Sequence, residues 1–292
     1  MVKDKIIAYL KIGRPWYLLL VIPYLTAPAL VAVGVNPFIE KILPFYVAIY
    51  FFLTGAVSFN DFYDQELDKI RYPDRPIPSG KIIPTGALAY SIIMWSISLI
   101  IIWVFLTKTS FVVMLILITL LFIRDSSKKR FKYNDLIMPL APAIAALASW
   151  SAFSELNWLA FMFAAAMYFA DLAHTGSESL EDYEADKRVN FHSLSVIFGP
   201  EKVSKIVIIA IGISTIIFSS FVYLAGLSYI TLLIVIVIGI CCGAASTLLI
   251  KDQSPERGKR NHIYVSLFEI FICLAIIINQ ISIHIYPSLY IL

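Results

Sequence analysis

The chain has 292 residues, 60% of them hydrophobic and only 15% charged, with a formal net charge of +3. A soluble domain carries nearer a quarter charged residues, so this composition excludes a water-soluble globular protein and asks for lipid as its solvent. The small net charge says little by itself, and no nucleic-acid partner is expected; the distribution of charge along the chain is informative.

A membrane helix needs roughly 20 apolar residues to cross about 30 Å of hydrocarbon. The first such run, 16–35, follows a basic N-terminal segment with Lys3, Lys5, Lys11 and Arg14. No short n-region, h-region and cleavage site precede it, so no removable signal peptide is expected. The second run, 42–60, leads straight into SFNDFYDQELDKIRYPDRPIPSG at 58–80. The third and fourth, 85–106 and 110–124, precede a basic loop with Arg124, Lys128, Lys129, Arg130 and Lys132. The fifth and sixth, 136–153 and 156–173, lead into the second acidic segment, DLAHTGSESLEDYEADKRVNFHSLSVIFG at 171–199. The last three are 204–226, 228–250 and 262–286, the junction near Gly226–Ser228 being a turn argued mainly from length. Cys241, Cys242 and Cys273 lie in apolar runs without metal-ligand spacing and are expected to be buried.

With nine spans, 21 of the 23 Lys and Arg residues fall on the N-terminal side of the membrane, leaving only Lys41 and Lys108 on the other. The positive-inside rule then puts the N-terminus and the charged loops in the cytoplasm and the C-terminus outside. Of the 20 acidic residues, eleven sit in two segments, Asp61–Asp74 and Asp171–Asp186. Those segments follow the second and sixth spans, a spacing consistent with an internal duplication.

Topology asks nothing of acidic residues, so these need another reason. Asp61, Asp64 and Asp68 are spaced i, i+3, i+7, and Glu178, Asp182 and Asp186 i, i+4, i+8, each set along one helical face. Stacked like charges repel, the more so near a low-dielectric membrane. A divalent cation turns that liability into a site, and Mg²⁺ favours a few carboxylates together with substrate phosphates and water. Two acidic helical ends facing each other across a cavity suit several Mg²⁺ ions bridged by a diphosphate. Arg14, Arg71, Arg75, Lys81, Lys128 and Lys129 are the cations available to such a ligand. In YPDRPIPSG, Pro73, Pro76 and Pro78 forbid a helix and place Arg75 on a stiff, extended loop. Glu269, inside the ninth run, is an intramembrane carboxylate and a candidate on that ground alone. His174 and His192 are open between ligand and polar lining.

NDFYDQELD with RYPDRPIPSG after it, EDYEADKRVNFHSLSVIFG, and the opening GRPW resemble the two aspartate motifs, their tail and the first-helix entry of the UbiA superfamily of intramembrane prenyltransferases. The resemblance implies an all-α integral membrane protein: one domain over 1–292, nine transmembrane helices around a central cavity, and a cytoplasmic cap. It implies a Mg²⁺-dependent enzyme, with Mn²⁺ as a possible substitute, that ionises an isoprenyl diphosphate and passes the prenyl group to a lipid or aromatic acceptor. Asn60, Asp61, Asp64 and Asp68 would serve the first metal site, with Glu178, Asp182 and Asp186 at the second. Arg14, Arg71, Arg75, Lys128 and Lys129 would contact the diphosphate, and Asp64, Asp182 and a lysine of the 128–129 pair would carry the chemistry. The chain departs from the family pattern in FIRDSSKKRFKYND, which lacks a Tyr just before the lysines and has Asn134-Asp135 where Gly-Asn is common, and at Ser179, a position often acidic. RPDRPIPSG-type tails favour geranylgeranyl transfer to a glycerol phosphate ether. Quinone-pathway aromatic transfer and isoprenoid cyclisation stand as alternatives, as does, in another class, a secondary transporter with an acidic ion site. A transporter fits poorly with carboxylates at helix ends and repeats that are not inverted.

Overall fold

The computed structural model describes residues 2–127, 131–188 and 191–287. In chain order its helices are α1 (Val2–Ile12), α2 (Tyr17–Val33), α3 (Val35–Glu40), α4 (Ile42–Tyr63), α5 (Gln65–Arg71), α6 (Pro84–Phe105), α7 (Lys108–Ser127), α8 (Leu140–Ser151), α9 (Trp158–Glu181), α10 (Tyr183–Arg188), α11 (Leu194–Phe198), α12 (Pro200–Leu224), α13 (Tyr229–Ser246), α14 (Leu248–Lys251) and α15 (Pro255–Ile285). A 3₁₀ turn covers Asn134–Leu136, and no strand occurs among the described residues.

Among the described residues, seven stretches are long and apolar enough to cross a membrane: Lys5–Val33, Ile42–Tyr63, Pro84–Phe105, Lys108–Ser127, Pro200–Leu224, Tyr229–Lys251 and Pro255–Ile285. The protein is therefore an all-helical, multi-pass membrane protein. The expected spans at 136–153 and 156–173 fall short of that standard. α8 has only 12 residues because the 3₁₀ turn and Pro139 take up the start of its run. α9 has 24 residues, but its later turns carry Asp171, His174, Glu178 and Glu181. Leu19, Leu43 and Ile230 are at least 70% exposed, a burden in water and an anchor in lipid. Trp103, Trp158, Tyr223, Tyr229 and Tyr286 are exposed at helix ends, where amphipathic rings suit the membrane interface. Cys242 and Cys273 are buried as expected, but Cys241, next along α13, is on the outward face.

The chain divides into two compact units. The first comprises Met1–Ile22 and Ile39–Ser126. Here α4 lies against α6: Trp95 Nε1 donates to the Phe52 carbonyl at 3.2 Å and Ser98 Oγ to that of Ala48 at 2.8 Å. Such bonds hold helices together in lipid, where no hydrophobic effect does so. Ala8 and Ile12 of α1 bury themselves against Ile77, Ile82 and Ala87. This contact reshapes the proline-rich loop, which is a chain of turns where an extended segment was expected. Arg75 N–H donates to Tyr72 O, Ser79 N–H to Arg75 O and Ile82 N–H to Pro76 O, each at 3.0 Å. Burying both isoleucines requires the compact form.

The second unit comprises Pro23–Phe38 and Ser127–Leu292 and is built around α9. Phe163 meets Phe218 and Phe221 of α12 edge-on at 5.4 and 5.3 Å between centroids. The Asn157 side chain caps α9 by accepting from Ala160 N–H at 3.1 Å. α13 starts at Tyr229, capped by Ser228, after α12 ends at Leu224, which places the junction where length suggested it. α15 packs along α9, and at Gly258 its backbone comes close to that of α9. A Cβ there would lie 2.6 Å from Glu181 N and 2.8 Å from Leu180 C, both backbone atoms. Gly258→Ala must push the helices apart and is expected to cost about 1–3 kcal/mol, as overpacking does. A melting curve of the detergent-solubilised variant checks this; an unchanged Tm would mean that the helices yield freely.

Candidate active site

The two acidic segments fold into the same local structure. α4 ends at Tyr63, Asp64 stands at φ −88°, ψ 3°, and α5 begins at Gln65. α9 ends at Glu181, Asp182 stands at φ −90°, ψ 1°, and α10 begins at Tyr183. This is the sparsely populated bridge region, common for active-site residues. Around the first break, Asp64 N–H donates to Asn60 O at 2.9 Å and Asp68 N–H to Asp64 O at 2.8 Å. Around the second, Asp182 N–H donates to Glu178 O and Asp186 N–H to Asp182 O, both at 2.9 Å. The i to i−4 ladder continues through each corner, so the helical spacing of the carboxylates survives a kink. Asp64 and Asp182 are half-buried, whereas Asp68 and Asp186 are 2% and 3% exposed.

In the first corner, buried acids meet two arginines. Arg75 Nη1 reaches both Asp68 oxygens, at 2.7 and 2.8 Å, and lies 3.6 Å from Asp61 Oδ1. Its guanidinium stacks on the Tyr72 ring at 3.9 Å, which the turn-rich loop makes possible. Arg14 Nη2 donates to Asp61 Oδ1 at 2.6 Å. Arg14 has φ +42°, a left-handed conformation that costs a non-glycine residue about 1–3 kcal/mol and is held where the surroundings demand it. A salt bridge to a buried carboxylate 47 positions away is such a demand. The GRPW and NDFYD segments are thus joined by one ion pair, a link that neither segment shows alone.

Asp125 belongs to this corner and sequence reasoning missed it. It is 2% exposed, accepts from Arg124 Nε at 2.8 Å, and accepts from Asn60 Nδ2 at 3.4 Å. An amide that gives its nitrogen to Asp125 keeps its oxygen for another partner. The available signal was an acid in the last turn of an apolar helix, in the segment where the expected Tyr is missing.

In the second corner, the departures from the family pattern acquire structural roles. Ser179 is buried, accepts from Ser195 N–H at 2.6 Å and offers its carbonyl to Ser195 Oγ at 2.5 Å. Asp135 Oδ2 accepts from Leu194 N–H at 3.0 Å, capping α11. Both tie the chain after Asp186 back onto the unit. Glu178 is exposed. Lys128 and Lys129 lie outside the described residues, as does the side chain of Arg71.

The donor chemistry fits Mg²⁺: carboxylates and a primary amide, all hard oxygen ligands. Among the described residues no three of His, Cys, Asp or Glu converge closely enough to hold a metal on their own.

The family model described as UbiA prenyltransferase family matches residues 20–270. Digeranylgeranylglyceryl phosphate synthase of Methanosphaera stadtmanae is 30% identical over 208 residues, 70% of this chain and 76% of that protein. The Pyrococcus horikoshii protein of the same name is 27% identical over 257 residues, 87% of this chain and 91% of its own. A solved structure of a digeranylgeranylglyceryl phosphate synthase superposes with a TM-score of 0.78 at 20% identity, covering 96% of this chain and 99% of that one. A UbiA homologue from Archaeoglobus fulgidus bound to GPP and Mg²⁺ superposes with a TM-score of 0.68 at 20% identity, covering 92% and 99%. At these identities the structures share the fold.

Proposed function

The chain belongs to the UbiA prenyltransferase family and is a membrane prenyltransferase; from that premise we propose that it transfers a geranylgeranyl group from its diphosphate to the free hydroxyl of a glycerol phosphate ether. The observation that carries the site is the repeated acidic corner, with Asp64 and Asp182 in matching conformations and a buried Asp one turn later. The names of the relatives support the acceptor. The whole chain acts as one catalytic domain, its charged loops on the cytoplasmic side.

In this reading, Asn60, Asp61, Asp64 and Asp68, and Glu178, Asp182 and Asp186, hold Mg²⁺, for which Mn²⁺ can substitute. When bound, the metal would supply positive charge to offset the negative charge of the diphosphate. Arg14 and Arg75 neutralise Asp61 and Asp68 without the ligand and turn to phosphate oxygens with it. Arg71, Lys128 and Lys129 add positive charge. The electron pair of the broken bond leaves with the diphosphate, C1 bonds to the acceptor oxygen, and the hydroxyl proton is released. Preorganised cations serve because the negative charge grows on the leaving group.

Arg75→Ala is expected to weaken the binding of a prenyl diphosphate about 10–100-fold, the worth of a charge-assisted hydrogen bond or two. Arg75→Lys should restore only part of this, since a lysine offers a point charge and no fork. Direct titration with a thiolodiphosphate analogue reads the affinity, and unchanged binding in Arg75→Ala would remove the arginine from the site. The function itself is tested with purified protein, labelled geranylgeranyl diphosphate and a panel of glycerol phosphate monoether, hydroxybenzoate and naphthoate. An ether product on the glycerol hydroxyl is expected. A ring-prenylated product, or diphosphate released with no acceptor product, would overturn the reading.

A further inference from the structure

Where α15 crosses α9 at Gly258, polar residues line the facing sides of both helices. His262, Ser266 and Glu269 are spaced i, i+4, i+7 on α15, and His174 and Glu181 are spaced i, i+7 on α9, so each set keeps one face. Asn261, 1% exposed, locks the crossing by donating Nδ2 to Ser177 Oγ at 2.8 Å. His262 Nδ1 lies 3.1 Å from Glu181 Oε2, and His262 Nε2 lies 2.9 Å from His174 Nε2. The two rings stand at 80° with centroids 4.4 Å apart. The other nitrogen of His174, Nδ1, is 3.5 Å from Ser266 Oγ and 3.9 Å from Glu269 Oε2. Glu269 is 4% exposed and has at Oε1 no hydrogen-bond partner among the described residues. Over a quarter of the His174 side chain, 28%, remains open.

The hydrogen count fixes the direction of this string. Two facing Nε2 atoms share one hydrogen. A Glu181 carboxylate only accepts, so His262 donates from Nδ1, and a neutral His262 then has a bare Nε2. His174 must donate to it from Nε2, which leaves His174 Nδ1 bare. That lone pair points towards Ser266 and Glu269. A proton arriving there is answered by transfer of the Nε2 hydrogen to His262, whose positive charge lies against Glu181. An ionised carboxylate that orients an imidazole and stabilises its cation, without itself taking the proton, is a recurrent catalytic device. Buried polar chains inside a membrane helix bundle are costly and mark proton or ligand pathways.

The string also lies near the chemistry. His174 is one helical turn before Glu178 and two before Asp182, about 12 Å along α9 by helical rise. It approaches the second acidic corner from the apolar part of the helix, where the lipid tail of an acceptor would lie. We propose that His174, backed by His262 and Glu181, accepts the proton of the acceptor hydroxyl, with Ser266 and Glu269 receiving that hydroxyl. The acceptor oxygen bonds to C1, the C1–O bond to diphosphate breaks with its electrons leaving on the diphosphate, and the hydroxyl proton passes to His174 Nδ1. This rests on the hydroxyl-acceptor reading above.

The test measures kcat/KM for the acceptor against pH in the wild type, His174→Gln, His262→Gln and the double variant, beside titrations with the thiolodiphosphate donor analogue. Wild-type turnover falls as pH is lowered, because a protonated pair cannot accept. The groups facing the pair are Glu178, Glu181 and Asp171 of α9 and Glu269 of α15, with Tyr24, Cys242 and Cys273 acting around Glu269. Each single variant is expected to lose about 10²-fold in kcat, the usual worth of a positioned base. Each is also expected to lose the acidic limb while keeping acceptor KM and analogue affinity. Because the two histidines act in series, the double variant is no worse than either single one. His262→Gln leaves His174 in place and so gives a second reading if His174→Gln folds poorly. Retention of the acidic limb with more than half the kcat in either folded variant would overturn the relay and leave the transferase reading standing. A wild type that makes no ether would end both.

Discussion

Asp64→Ala and Asp182→Ala are each expected to lower turnover about 10³-fold, the scale seen when a preorganised electrostatic contact is removed, while the protein stays folded. Their position decides both halves of that expectation. Each Asp stands at a helix corner with matching dihedrals, and each contributes its backbone N–H and C=O to the ladder. Alanine keeps those backbone bonds, so the corner survives. Both side chains are half-buried, unlike the buried Asp61, Asp68 and Asp186, so removing them disturbs the packed interior less. Asp68→Ala is a poorer probe, since it strips Arg75 of a bidentate acceptor and disturbs the loop as well. Circular dichroism and a melting curve in detergent report the fold, and release of labelled diphosphate reports turnover. Normal turnover in folded Asp64→Ala or Asp182→Ala would sink the metal assignment for that corner.

Chelation is the second large effect. EDTA is expected to abolish turnover, and excess Mg²⁺ to restore it fully, because acidic residues in both corners must be neutralised before a diphosphate can approach. Arg14 and Arg75 offset part of the charge in the first corner. Asp182→Asn removes one negative charge from the second corner and should need less Mg²⁺ for stability, but gain no activity. A Mg²⁺ titration of turnover in EDTA-treated protein reads the dependence directly.

The corners were legible because helical spacing is local: i, i+3 or i+4, and i+7 or i+8 put the acids on one face whatever surrounds them. Their kinks were not, since Asp64 and Asp182 carry no sequence mark of a bridge conformation. The membrane class followed from composition, while the length of α8 did not follow from its apolar run, part of which a 3₁₀ turn takes up. The turn-rich shape of the proline loop depends on Ile77 and Ile82 finding Ala8 and Ile12, a contact of distant segments. Arg14 with Asp61, Asn60 with Asp125, and His262 with Glu181 are likewise 47, 65 and 81 residues apart and have no local signature. Ser179 read as a lost acid and is in fact the tether of α11. Sequence pattern finds what one helix does by itself, and misses what a second helix brings to it.

The central claim, that both acidic corners bind diphosphate through Mg²⁺, is tested most directly by calorimetric titration of the protein with a geranylgeranyl thiolodiphosphate in Mg²⁺ and in EDTA. The account predicts tight binding in Mg²⁺, weakened about 100-fold or more in EDTA, in Asp64→Ala and in Asp182→Ala, on the scale of lost metal affinity. Equal affinity in Mg²⁺ and EDTA, with both variants binding like the wild type, would contradict it.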